Sequence, residues 1–339
     1  MALLDIRNLS IDIITSQGVL RIVDKASLFI TEGSIHGLVG ESGSGKSLIA
    51  KAILGLHKDN WIVTADRMFL GTTDLTLLST RERRKIMGIE ISIIFQYPRS
   101  YLDPSTKVYD QIKEVLTETS VRRHFLNRIK KKKIISNKHR VKELLHKVGI
   151  GKNDWEKVIA SYPHEISEGI CQKVMIAMAI ANNPRILIAD EPTTAMEAVT
   201  QAQIFRLLYK LNQLHNTTIL LLSNNFASIR NLSDHITLIY CGQTVESGSY
   251  KQITENPMHP YTQSMIKTIL DFNDALEHKS QLYALPGYIP TSSELPTGCR
   301  LGPRCPKAQR ACVTKPENQH YKGHMVRCHF PTLPDKKGQ

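Results

Sequence analysis

No run of 18 uncharged apolar residues occurs in the chain of 339 residues, so no segment has the length and hydropathy of a membrane-crossing helix. Met1 to Leu9 carries Asp5 and Arg7 where a secretory signal needs an apolar stretch, and the expectation is a cytoplasmic protein. Acids are almost missing from Val121 to Lys147, which holds eleven Lys or Arg and only Glu143 against them, supplying +10 of a formal charge of +13. Aromatics are missing there too, apart from Phe125, so the segment has no base-stacking platform and no specific nucleic-acid partner is expected. Its remaining readings are a solvated helical face or a patch attracted to anionic head groups beneath a bilayer.

What the chain does contain is Gly40-Glu41-Ser42-Gly43-Ser44-Gly45-Lys46-Ser47, the phosphate-loop pattern GxxxxGK[ST], directly after the apolar run Ile35 to Val39. The pattern predicts strand, loop and helix, the helix running from Lys46 to Leu56. Glycines let successive backbone N–H groups turn inward, and with the helix N-terminus they make a concave anion site for nucleoside triphosphate phosphates. Lys46 reaches the β- and γ-phosphates in such a loop, and Ser47 coordinates Mg²⁺.

Apolar and polar residues alternate from Leu3 to Ile14 and again from Ala26 to Ile30, as in half-buried strands. Further strands are expected at Ile91 to Phe95, Ile186 to Ala189, Thr218 to Ser223 and Ile236 to Tyr240. Pro98 and Pro104 are read as bracketing a loop. Val108 to about Ala181 has helical periodicity throughout, and another helix is expected from Thr200 to Gln213. This succession describes an α/β nucleotide-binding core with a parallel sheet, carrying a helical insertion at about 104–181 within a domain of residues 1–254. From 255 to 339 the chain is crowded with prolines, and a small loop-rich module without long regular elements is expected.

Asp190-Glu191 closes the strand Ile186 to Ala189, where Asp190 can hold the Mg²⁺ shell and Glu191 can orient or deprotonate an attacking water. Gln96, at the tip of the preceding strand, offers a neutral side chain to the same metal and water. Cys299, Cys305, Cys312 and Cys328 give C-x5-C-x6-C-x15-C. A reducing cytoplasm disfavours disulfides, and four thiolates suit either tetrahedral Zn²⁺ or a four-iron cluster. Cys171 and Cys241, in apolar contexts, read as packed thiols.

With these pieces in place the chain resembles an ATP-binding-cassette ATPase of the oligopeptide and dipeptide importer group, a P-loop NTPase. Phe95-Gln96-Tyr97-Pro98 followed by Leu102-Asp103-Pro104 is similar to the family's Q-loop, Tyr162 to Ala177 to its signature, and Ala189 to Glu197 to its metal strand and D-loop. The resemblance extends to a branch linked to antimicrobial-peptide resistance, putrescine export and potassium uptake. It implies ATP and Mg²⁺ as ligands and a [4Fe-4S] cluster on the four cysteines, with Zn²⁺ as the alternative. It implies a heterodimer with a second ABC ATPase in which Ser167 and Gly169 serve the partner's nucleotide. It also implies two membrane permease subunits, an indirect solute-binding protein in the periplasm, and a place on the cytoplasmic face of a bacterial inner membrane.

Three positions depart from the pattern. Glu168 stands where the signature has a glycine or small residue, Asn224 where the family places a histidine, and Met196-Glu197 where Leu-Asp is usual. Asn224 can donate a hydrogen bond to a γ-phosphate but carries no positive charge, so slow or asymmetric hydrolysis is expected. Two alternatives accompany the transporter reading: a hydrolysis-poor regulatory subunit acting on another transport system such as potassium uptake, and a soluble cassette protein working on ribosomes or DNA.

Overall fold

The computed structural model describes residues 2–116, 137–230, 232–273 and 285–333. Most of the basic stretch lies outside them. The chain divides into two compact units, residues 1–78 with 221–339, and residues 79–220.

The first unit opens with two long strands, β1 (Ala2–Thr15) and β2 (Gly18–Thr31), paired antiparallel from Ala2↔Thr31 to Thr15↔Gly18. Leu4, Ile6, Leu9 and Ile11 of β1 are buried as expected, but Leu3, Asp5 and Ser10 between and beside them are buried as well, so the strand is more deeply covered than alternation predicts. The short strands β4 (Trp61–Thr64) and β5 (Arg67–Leu70) pair with β1, and β6 (Thr73–Asp74) with β5. A second sheet of this unit is built on β3 (Ile35–Val39), every residue of which is buried. It pairs parallel with β10 (His235–Tyr240), followed by β11 (Gln243–Ser249), β13 (His324–Val326) and β12 (Gln319–Tyr321), all antiparallel.

Near-continuous apolar runs are what a strand covered on both faces requires. The second unit shows the same rule: β7 (Ile91–Ile94) pairs parallel with β8 (Ile186–Asp190), in register from Ile91↔Ile186 to Ile94↔Ala189. Its helices are α2 (Thr80–Ile86), α3 (Pro98–Tyr101), the helical residues 108–116, α4 (Asn137–Lys147), α5 (Trp155–Ala160), α6 (Glu168–Ile180) and α7 (Ala198–His215). The strand β9 (Thr218–Ser223) carries the chain back to the first unit.

Two expectations need correction. Pro98 opens the short helix α3 instead of beginning a loop, because at the first helical position its missing N–H goes unneeded. Likewise Pro260 starts a 14-residue helix, Pro260–Asn273, in the region read as free of long elements.

Candidate functional site

The loop after β3 is shaped by two glycines in left-handed conformation, Gly43 (φ 80°) and Gly45 (φ 100°). Gly40 is needed for space: a Cβ there would sit 2.1 Å from the Ile239 carbonyl oxygen. Gly45 caps the helix α1 (Lys46–Leu54) without any side-chain cap hydrogen bond. Lys46 is 4% exposed, and its Nζ donates to the loop's own carbonyls, Gly40 at 2.8 Å and Glu41 at 3.2 Å. Ser44 Oγ is buried with no hydrogen-bond partner. A helix start without a side-chain cap and an orphaned hydroxyl, beside the buried Lys46 ammonium, together fit a bound anion. Asn224, from the end of β9, reaches the same loop, Nδ2 lying 3.5 Å from Ser42 Oγ.

The second unit carries its own share of the expected residues. Asp190 is 5% exposed at the end of β8. Glu191, the next residue, has φ 45°, a left-handed conformation rarely adopted by a side-chain-bearing residue. Its carboxylate accepts from Gln96 Nε2 at 2.9 Å and from Thr194 Oγ1 at 3.3 Å, while Gln96 Nε2 also lies 3.3 Å from Thr194 Oγ1. Thr194 carried no signal beyond its place in the D-loop resemblance.

Ser167 caps α6, its Oγ accepting from Ile170 N–H. Gly169 sits so close to Thr200 that a Cβ would lie 3.0 Å from its methyl. Glu168 is paired: Arg99, on α3, approaches it with Nε at 2.9 Å from Oε2 and donates through Nη2 to the Ile166 carbonyl at 2.6 Å. Sequence reading missed Arg99, since 69 residues separate it from Glu168.

The four C-terminal cysteines line one small cavity with His259, Leu301 and Phe330. All are free thiols. The Cys299 N–H donates to the Cys312 carbonyl at 2.9 Å, closing the loop between them. Burial pushes the Cys328 thiol up to about 11, and the neighbouring Cys299, Cys305 and Cys312 add to the rise, while the Phe330 N–H at 3.4 Å opposes it. Burial likewise raises Cys299 and Cys305, against N–H groups of Leu301, Gly302 and Lys307 that favour thiolate. Thiols that repel each other once ionised, yet face backbone donors, are suited to a shared cation. Among the described residues no group of three or more His, Cys, Asp or Glu is drawn together tightly enough for a single metal ion. Cys171 and Cys241 are buried, as expected.

Residues 23–194 match the family described as ABC transporter, and residues 245–312 the oligopeptide/dipeptide transporter, C-terminal region. The chain is 53% identical over 331 residues to the peptide transport system ATP-binding protein SapD of Salmonella typhimurium, covering 98% of each. It is 50% identical to SapD of Haemophilus influenzae, over 98% of this chain and 93% of that one. The dipeptide transport ATP-binding protein DppD of Haemophilus influenzae is 39% identical, over 98% and 96%. Among solved structures, the dimeric cassette MJ0796 in a post-hydrolysis state with ADP and Pi aligns with TM-score 0.62 at 23% identity, covering 73% of this chain and 98% of that one. The cassette cbiO1 from Clostridium perfringens aligns with TM-score 0.60 at 20% identity, over 80% and 96%.

Proposed function

Because this chain belongs to the ABC transporter family, with the fold of an ATP-binding cassette, we propose that it binds and hydrolyses ATP to drive a transporter of peptides or related cationic solutes. The observation that carries the proposal is the loop Gly40 to Ser47, with its buried Lys46, uncapped helix start and orphaned Ser44 hydroxyl. Lys46 and the loop N–H groups hold the phosphates. By the resemblance to the family, Ser47, Gln96 and Asp190 would hold Mg²⁺, whose chemistry there would be charge neutralisation on the phosphate oxygens. Glu191 orients the attacking water and takes its proton, and Asn224 donates to the γ-phosphate from the switch position.

Ser167 and Gly169, at the start of α6, serve the nucleotide of a second ATPase subunit, so the working unit is a heterodimer beneath two permease subunits at the inner membrane. No helix among the described residues is long and apolar enough to cross a membrane. The relatives are described as transport ATP-binding proteins, which favours this reading over the regulatory alternative. The test is the assembled transporter carrying Glu191→Gln. Turnover should fall by ~10²-fold or more with nucleotide binding retained, and turnover indifferent to the change would remove Glu191 from the reaction.

For Cys299, Cys305, Cys312 and Cys328 we propose a [4Fe-4S] cluster. What supports a shared ligand is that all four thiols line one cavity, and the choice of the cluster over Zn²⁺ follows the resemblance to the peptide-importer group. Anaerobically purified protein should be brown and hold about four irons per chain; colourless protein with one zinc would give the site to zinc.

A further inference from the structure

The Cys299 to Cys305 stretch carries two buried arginines, and both lead to the phosphate loop. Arg304 is 7% exposed and immediately precedes Cys305. Its Nη1 donates to Glu41 Oε2 at 2.9 Å and Nη2 to Glu41 Oε1 at 3.4 Å, a two-pronged grip on the second residue of the loop. Nη1 also reaches the Tyr240 hydroxyl at 3.2 Å, and Nε donates to the Pro286 carbonyl at 3.0 Å, which fixes the plane of the guanidinium. The Glu41 backbone is held separately: its N–H donates to the hydroxyl of the fully buried Tyr261 at 3.0 Å.

Arg300, 6% exposed, takes a second route. Its Nη1 donates to the Cys241 carbonyl and its Nη2 lies 3.4 Å from Asp24 Oδ2. The residue after Cys241 is Gly242, whose N–H donates to the Ser44 carbonyl at 2.8 Å. Gly242 adopts φ 78° and has no room for a Cβ, which would sit 1.8 Å from the Ile22 carbonyl oxygen, so this link is rigid. Two routes therefore run from between the first two cysteines of the C-terminal module to Glu41 and Ser44.

We infer that Arg304 is a positioning residue for nucleotide binding: the C-terminal cysteine module braces the phosphate loop from behind through Glu41, and the loop's affinity for nucleotide depends on that brace. This rests on the nucleotide site proposed above. Glu41 is thereby given a second part in that site. Its backbone belongs to the phosphate cradle, while its carboxylate is turned to Arg304 and serves as the handle by which the module holds the loop. The coupling is reciprocal, as linkage requires, so bound nucleotide should in turn steady residues 299–305.

The experiment measures the dissociation constant of a fluorescent ATP analogue on the full-length chain for the wild type, Arg304→Gln, Arg304→Lys, Glu41→Gln and the Arg304→Gln/Glu41→Gln double variant. Melting temperatures are recorded for each. Removing either partner should weaken binding about tenfold, the double variant should be no worse than either single one, and Arg304→Lys should fall between. Glu41→Gln changes no residue of the cysteine module itself, so it keeps the test alive if the Arg304 variants fold poorly. Hydrogen exchange adds the reverse direction: a non-hydrolysable ATP analogue should slow exchange in residues 299–305 of the wild type. Folded variants with wild-type affinity, additive effects in the double variant, or exchange in 299–305 unmoved by nucleotide would each overturn the inference. A wild type that binds nucleotide while the variants match it defeats this inference alone; a wild type that binds none defeats the nucleotide site as well.

Discussion

Replacing Arg99 by Ala should weaken ATP use at the composite site proposed for Ser167 and Gly169 without much cost in fold stability. Glu168 sits at the first position of α6, where the family's signature has no charge, and Arg99 is its counter-ion at 2.9 Å. The pair is half exposed, with side-chain exposures of 46% and 37%. Solvent screening then holds its contribution to stability below ~1 kcal/mol. Its effect on a bound triphosphate is of another kind. A bare carboxylate ~4 Å from one phosphate charge is repelled by ~1 kcal/mol even in water, and by more where the site closes and excludes solvent. That is roughly a fivefold rise in KM for ATP. Steady-state ATPase of the assembled transporter against ATP concentration reads it, and the rise should shrink as salt is added. Arg99→Ala/Glu168→Gly, which removes the carboxylate as well, should return KM to the wild-type value. A KM unchanged by Arg99→Ala, or a rise that the double variant fails to reverse, would refute the assignment of Arg99 as the charge that masks Glu168.

Asn224 lies within reach of Ser42 but carries no charge, so Asn224→His should raise the ATPase rate of the assembled transporter several-fold; an unchanged rate ends the case for slow hydrolysis at this loop. Stability should also fall in mild acid. Burial, helped by the nearby His235, pushes the imidazole of His36 down to about 3, and burial pushes that of His259 to about 4. The unfolded chain takes up a proton at each near pH 6.5, so stability is complete above that value and is lost at ~1.4 kcal/mol per pH unit per histidine as pH falls towards the folded values. Chemical unfolding at pH 7.5 and pH 5 should show a pH dependence smaller by about one proton in His36→Phe, and an unaltered dependence would remove His36 from it.

The parts of the fold that could be read from the sequence are those whose residues report their own surroundings. Ile186 to Ala189 is apolar throughout because β8 is covered on both faces, and Leu4, Ile6, Leu9 and Ile11 of β1 are apolar because they lie in the core. The short strands β4, β5 and β6 escaped notice, since two to four residues carry no period. The strand β11, Gln243-Thr244-Val245-Glu246-Ser247-Gly248-Ser249, is polar yet largely buried. Its Glu246 is fully buried because the Met258 and His259 N–H groups donate to it and His324 Nε2 lies 2.7 Å away, partners that only the fold can bring. The site divides in the same way. The glycines and Lys46 of the phosphate loop announce themselves by spacing, whereas Arg99 and Arg304 acquire meaning only from acids 69 and 263 residues distant.

The placement of Glu191 beside Gln96 follows from sheet register. In the parallel pair β7 and β8, Ile94 stands opposite Ala189, so two residues further on each strand the chain reaches Gln96 and Glu191. Equal offsets from paired residues deliver the two side chains to one spot, and the 2.9 Å hydrogen bond between them is the outcome. The left-handed backbone at Glu191 costs on the order of 1–3 kcal/mol, which the surrounding structure must sustain. Two donors, Gln96 Nε2 and Thr194 Oγ1, hold the carboxylate in the orientation that this backbone gives it. With its amide N–H engaged by Glu191, Gln96 retains its carbonyl oxygen as acceptor, the only atom of that side chain able to ligate a cation. The same hydrogen bond therefore orients the residue proposed to act on water and turns the residue proposed to meet Mg²⁺. Movement of the segment that follows β7, through α3 and Arg99, would reach Glu191 through Gln96 and Glu168 through the ion pair at once.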